Sequence, residues 1–503
     1  MRGVTLLTLT GLGSQLVGFC YRILLTRTAG AEILGLYQLL LPVYAVLQSL
    51  TAAGLYAGVS NLSARYQALG DLRTVRQLRG QAVRLFLALA VVPCVLLEIF
   101  SDAASVWLLG DARTRLGLTL LPPCLILTGV ENLQKHYFYG TGRVVPAAVT
   151  ELLEQALRAA LCLGCLRALR PASAEGAVGA LVLGMALCEA VSALTQTALF
   201  RWSLGPGDRL PGQTRAPRGL RRELGRIAAP LGLSALLGNL ISTANALLIP
   251  RLLTRGGMGQ EEAVSAYGVL FGMTLPMLLV PTAFLSALGL VLTPRLAGEA
   301  ARGDRAAVRR SAARAVEAAD LVLLPALALL AALGPSLARA LYRDPGAGEH
   351  MPLLALGVLF SCWQGLFTCV LNGLDRQRTS AAVALVCDGL QLILTLFTVS
   401  RWGLAGYAAA FAAVSGLGAV LSWRAASSAA ALRLPVFRGL TAPALGACLA
   451  ASCGGLMETA LLRGGLDVLP AALGGMGFGA LLYLAALGAL GAAPSRSLWE
   501  ERT

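Results

Sequence analysis

Glu151, Glu154, Gln155 and Arg158 stand three, four and seven residues apart, which puts them on one stripe of an α-helix. The stretch around them is apolar enough to cross a membrane, where each ionisable group costs about 2.5–3.5 kcal/mol on insertion scales. Groups kept at that cost line a polar cavity or neutralise one another, and Glu154 and Arg158, four apart, are placed to pair. Asp388 and Gln391, three apart in a later apolar run, make a second stripe. Glu131, Asn132, Glu189, Asn239, Asn245, Gln364 and Asn372 are further polar groups inside apolar runs, each a candidate for the wall of a shared cavity. Arg22 lies within the first run, and Arg27 at its outer end can reach the headgroups along its aliphatic stem. The chemistry on offer is binding and charge compensation. There is no Walker lysine, the chain having only Lys135, and no Ser/His/Asp order or His/Cys cluster that suggests hydrolysis or a metal. Cys162 and Cys165 sit inside an apolar run and read as core packing. No enzyme activity and no cofactor are expected; energy would come from an ion gradient, the membrane potential or consumption of the product.

These residues are positioned by membrane helices. The 503 residues are 56% hydrophobic and 13% charged, with a mean hydropathy of +0.71. The apolar residues arrive in blocks of about 20, the length a helix needs to cross roughly 30 Å of hydrocarbon. Backbone groups in lipid must be satisfied internally, so the predicted fold is all-α. We read fourteen spans, the first beginning near Val4 and retained rather than cleaved. The net charge of +15 does not indicate nucleic acid, because the arginines concentrate in alternate loops. That is the positive-inside pattern, and with an even span count it places both termini in the cytoplasm.

The chain is written twice. Tyr37, Arg65, Gly70, Asp71, Val75 and Arg76 return as Tyr267, Arg295, Gly303, Asp304, Val308 and Arg309, and Gly140-Thr-Gly-Arg143 is echoed by Gly373-Leu-Asp-Arg376. The segment Arg201 to Arg222, rich in Pro and Gly, falls where the repeat requires a boundary. The domain reading is therefore a six-helix lobe over 1–200, a cytoplasmic linker over 201–222, a second six-helix lobe over 223–424, and two additional helices with a tail over 425–503. Asp71 and Asp304, each after a Gly, are expected N-caps of cytoplasmic helices. Mid-span prolines such as Pro42 and Pro281 are expected to free a carbonyl and kink their helices.

Gly18-Phe-Cys-Tyr-Arg22 through Arg27, Gly30-Ala-Glu, Gly35-Leu-Tyr-Gln38, Pro42 and Ala53-Gly54 resemble the first two spans of the stage V sporulation protein B group of polysaccharide flippases. That group belongs to the multidrug/oligosaccharidyl-lipid/polysaccharide (MOP) exporter superfamily. Ala229-Pro230, Leu248-Ile-Pro-Arg251, Tyr267-Gly and Leu279-Val-Pro281 resemble its spans 7 and 8. The resemblance implies two six-helix bundles around a cavity, two extra helices and alternating access. The implied substrate is a polyprenyl-pyrophosphate-linked sugar, a peptidoglycan precursor or polysaccharide unit, moved outward through the bacterial plasma membrane, with membrane lipids and envelope or spore-cortex proteins as partners. Arg22 and Arg251 become candidates to grip the diphosphate. The chain departs from the family's lipid II flippases in offering Gln15, Gln48 and Pro276 where those carry cavity arginines. The rival readings are a cation-coupled multidrug exporter, a membrane-embedded transferase, and a non-transporting scaffold.

Overall fold

The computed structural model describes residues 2–202, 219–431 and 437–490. Among these there is no strand, and the residues form fourteen long helices joined mostly by short turns, with short helical segments over 101–119. They are α1 (2–29), α2 (31–68), α3 (Leu72–Ile99), α4 (Leu121–Gly140), α5 (Val144–Leu169), α6 (Ala174–Trp202), α7 (Leu220–Arg255), α8 (Gln260–Ala301), α9 (Arg305–Tyr342), α10 (Met351–Gly373), α11 (377–402), α12 (404–430), α13 (Ala442–Arg463) and α14 (Val468–Ala489). Ten helical runs among the described residues are long and apolar enough to cross a membrane. Two of these runs, Gly13–Ala68 and Gln377–Ala430, each hold two spans. Gly30 (φ 83°) and Gly403 (φ 57°) divide them, left-handed values that glycine reaches without a Cβ penalty. Leu121–Gly140 qualifies together with the short helix before it, at a bend of 43°. The remaining helix, α5, carries the charged stripe. Most of the linker-like segment lies outside the described residues.

The chain divides into two compact units, Met1–Arg251 and Leu252–Thr503. In the first, α2, α3, α4 and α7 share an apolar core that includes Val59, Leu78, Phe86, Leu125, Leu133 and Leu224, all nearly or fully buried. Small residues let these helices approach closely, as lipid-embedded packing requires. Gly54 and Gly58 of α2 face Ala228 and Leu224 of α7, and a Cβ on Gly54 would overlap the Ala228 carbonyl. The first unit takes in most of α7, which packs on α2. Where α2 ends and α7 begins, Glu223 accepts from Arg65 at 2.8 Å and from the Tyr66 hydroxyl at 2.7 Å. In α2 the Pro42 carbonyl also accepts from Thr243 Oγ1 of α7 at 3.0 Å, a further tie between the two helices.

In the second unit, α13 and α14 dock on α9 through Leu324, Leu329, Leu333, Ala447, Ala450 and Tyr483. Tyr483 donates its hydroxyl to the Leu321 carbonyl at 3.0 Å.

The sequence repeat is also a repeat of hydrogen bonds. Gly70 and Gly303 have φ of 75° and 73°, and the amides that follow, of Asp71 and Asp304, return to Tyr66 and Glu299. The Asp71 carboxylate accepts from the Thr74 amide at 3.0 Å, and Asp304 from the Ala307 amide at 2.8 Å, so both are the expected N-caps. In the second echo Gly142 and Asp375 both adopt left-handed backbone, and Arg143 and Arg376 donate back to Phe138 and Leu371. The Thr74 hydroxyl, and then its amide, hold the Asp71 carboxyl below the usual range. A depressed native value means the cap stabilises above the unfolded pKa of about 3.9 and is lost as pH falls through the lower native value. Asp71→Ala is expected to cost about 1 kcal/mol at pH 7, and the difference from wild type should shrink towards pH 3. Melting curves of both proteins at the two pH values check this.

Candidate functional site: a charged cavity in the first unit

The stripe read on α5 finds its partners on the helices either side of it. Glu131 and Lys135 lie one turn apart on α4, and Lys135 Nζ sits 2.7 Å from Glu131 Oε1 and 2.6 Å from Glu154 Oε2. Arg158 Nη2 reaches Glu154 Oε1 at 2.5 Å and Glu189 Oε1, on α6, at 2.6 Å. Ser192 donates to Glu131 Oε1 at 2.5 Å. The result is one chain of alternating charge, Glu131–Lys135–Glu154–Arg158–Glu189, across three helices. Glu131 and Glu189 are 1% exposed, so the attraction acts away from bulk water, where it is strongest and where losing one member is most costly.

Oxygens of Glu131, Glu154 and Glu189 lie within 4.8 Å of one another, a spacing that could hold a metal ion. The Lys135 ammonium and the Arg158 guanidinium already supply the positive charge between them, so the donor set is an ion-pair network rather than a metal centre.

The network opens on a cavity of about 480 Å³. Lys135, Glu151, Glu154, Arg158 and Glu189 line it, and Tyr44, Gln48, Asn132, Gln155 and Asn239 supply neutral donors and acceptors. Gln48 is held at both ends: its Nε2 donates to the Tyr44 hydroxyl at 2.9 Å and its Oε1 accepts from the Tyr56 hydroxyl at 2.9 Å. Tyr56 is stacked on His136, with ring centroids 5.1 Å apart. Asn239 of α7 donates to the Ala45 carbonyl at 3.4 Å. A hydrogen-bond network around a polar void, with Glu189 Oε2 and Arg158 Nε left without partners, is a binding site in form.

The other candidates stand elsewhere. Arg22 is half-buried on α1 and Arg27 is exposed; neither lines the cavity. Asn245 is half-buried on α7, its Oδ1 without a hydrogen-bond partner. Arg251 hydrogen-bonds the Trp107 carbonyl and packs by Gly110, in the connection between α3 and α4, and is absent from the cavity wall. In the second unit Asp388 is exposed, whereas Gln391 is buried and donates to Thr395 Oγ1 at 3.3 Å.

Sequence reasoning placed Glu189 among the candidates for the cavity wall and noted Lys135 without assigning it to the site. The signal for Lys135 was its place four residues after Glu131 in the same span. It missed Asp320 of α9, which is 2% exposed and accepts from Trp363 Nε1 at 2.6 Å.

The model of the family described as polysaccharide biosynthesis protein matches residues 1–297. The chain belongs to that family. Among curated proteins it is 25% identical over 445 residues to stage V sporulation protein B of Bacillus subtilis, with 87% of this chain and 85% of the relative covered. It is 22% identical over 426 residues to the lipid II flippase MurJ of the same organism, covering 79% and 76%. Among solved structures, an inward closed lipid II flippase MurJ matches with a TM-score of 0.71 at 10% identity, over 99% of this chain and all of that one. An inward-facing multidrug resistance MATE family transporter of the MOP superfamily matches with a TM-score of 0.67 at 14% identity, over 83% of this chain and 94% of that one. The family member described here is therefore a multi-pass, all-α membrane protein with the fold of those two transporters.

Proposed function

We propose that the protein is a flippase that carries a polyprenyl-pyrophosphate-linked sugar, a cell-wall precursor or polysaccharide unit, outward across the bacterial plasma membrane by alternating access. The observation that carries this reading is the polar cavity of about 480 Å³ walled by amides, hydroxyls and paired ions inside an otherwise apolar bundle. A sugar headgroup needs such a wall to replace its water, while its lipid tail can stay in the bilayer. The two lobes at 1–200 and 223–424 provide the moving parts, the additional helices complete the bundle, and both termini face the cytoplasm. Membrane lipids and envelope-building proteins are the natural partners. Length favours a flippase over a multidrug exporter: the MurJ structure covers 99% of this chain and the MATE structure 83%.

The test is outward movement of a fluorescent polyprenyl-pyrophosphate sugar in liposomes containing the full-length protein. Movement that depends on the protein is expected, slowed about tenfold by Gln155→Leu, which removes a neutral wall contact without touching the ion-pair chain. Export of a cationic dye with no movement of any lipid-linked sugar would overturn the proposal.

A further inference from the structure

The cavity has a sign, and the sign bears on which end of a glycolipid it can hold. Glu151, Glu154 and Glu189 line it with Lys135 and Arg158, and Glu131 backs it through Lys135. Four carboxylates face two cations. Arg22, one turn beyond the Gly18 that approaches Gln155, makes a third cation if it is counted, and the balance still stays negative. Both lining cations are already engaged, Lys135 by Glu131 and Glu154, Arg158 by Glu154 and Glu189. Arg158 Nε is a buried donor of the pair left without a partner, set among carboxylates that outnumber the cations. On the acidic side there is acceptor capacity to spare: Glu189 is 1% exposed, and its Oε2 has no hydrogen-bond partner. A buried carboxylate oxygen left unpaired is costly, and a donor brought by a ligand relieves that cost. Glu151, half-buried on the wall, lies outside the ion-pair chain and adds a further acceptor.

We propose that this cavity binds the saccharide end of the substrate through a positively charged amine on the sugar and excludes the diphosphate. The proposal rests on the flippase reading above and narrows it to a substrate class, a glycan carrying a free amine. A diphosphate would enter against like charge in a medium that screens poorly. An ammonium would meet Glu151 and the free oxygen of Glu189, while Gln48, Asn132, Gln155 and Asn239 take the ring hydroxyls. The phosphates would then remain outside this cavity, near the headgroup level.

Three soluble probes test the assignment by calorimetric titration of the full-length protein in detergent: a glucosamine trimer with free amines, its fully N-acetylated counterpart, and inorganic pyrophosphate. The amine-bearing trimer is expected to bind at least about tenfold more tightly than the acetylated one, with no binding of pyrophosphate. Glu151→Gln should shrink the amine preference roughly threefold or more while leaving the ion-pair chain in place. Equal affinity for the two trimers, or binding of pyrophosphate at the site in competition with them, would overturn the proposal. The liposome assay keeps the two readings apart. Flipping of a lipid-linked sugar without an amine preference would sink this assignment and leave the flippase standing. Tight, Glu151-dependent binding of tetraphenylphosphonium with no flipping would sink both.

Discussion

Lys135→Met should cost the protein about 3–5 kcal/mol, the usual consequence of stripping one partner from a buried ion pair. The ammonium lies between Glu131 and Glu154, whose side chains are 1% and 9% exposed, and the next cation along, Arg158, already serves Glu154 and Glu189. Removing it leaves Glu131 with only the Ser192 hydroxyl. The replacement fills a similar volume, so the loss reports charge rather than packing. Thermal melting in detergent measures it, and a companion variant separates the causes. Lys135→Met with Glu131→Gln removes the stranded carboxylate and should recover a large part of the loss, leaving Glu154 to Arg158. A single mutant that melts like wild type would show that the network contributes nothing to the fold.

Gly54→Val is expected to be nearly as damaging for a different reason. A Cβ at Gly54 would overlap the Ala228 carbonyl oxygen and lie 2.9 Å from the Gly232 amide nitrogen. These are backbone atoms of α7, with no rotamer to change. The helices must separate, at a cost of about 1–3 kcal/mol or more for overpacking. Gly80→Ala in α3 is the control, because a Cβ there meets nothing within 4 Å, and a helical Gly replaced by Ala should be neutral or slightly stabilising. Parallel melts decide the matter; equal behaviour of the two variants would mean that α2 and α7 are not held in this close approach.

Much of the fold was legible because its determinants are local. Apolar runs of span length give helices in lipid, and the two Gly-Asp turns gave two N-caps at Asp71 and Asp304, since a left-handed glycine followed by a short acceptor has few other uses. The α5 stripe was legible from spacing alone. What completes it was not: whether α4 and α6 flank α5, with Glu131, Lys135 and Glu189 turned towards it, is tertiary information. Arg251 shows the other limit. One of its partners is a backbone carbonyl, Trp107, and every residue offers one, so no pattern announces it. Asp388 and Gln391 share a spacing, but spacing does not say which way a face points, and Asp388 is exposed. Asp320 escaped notice because its donor, Trp363, belongs to another helix.

The burial of Lys135 turns the chain into its own chemical probe. It is the protein's one lysine, 7% exposed and held by two carboxylates, so it is the one side-chain amine available for acylation. An amine-reactive ester should leave it untouched in the native protein and modify it when α4 and α5 part. An increment located on the peptide that carries Lys135, and so distinct from one at the N-terminal amine, then counts molecules in which that helix pair has opened, with no tag or engineered cysteine needed.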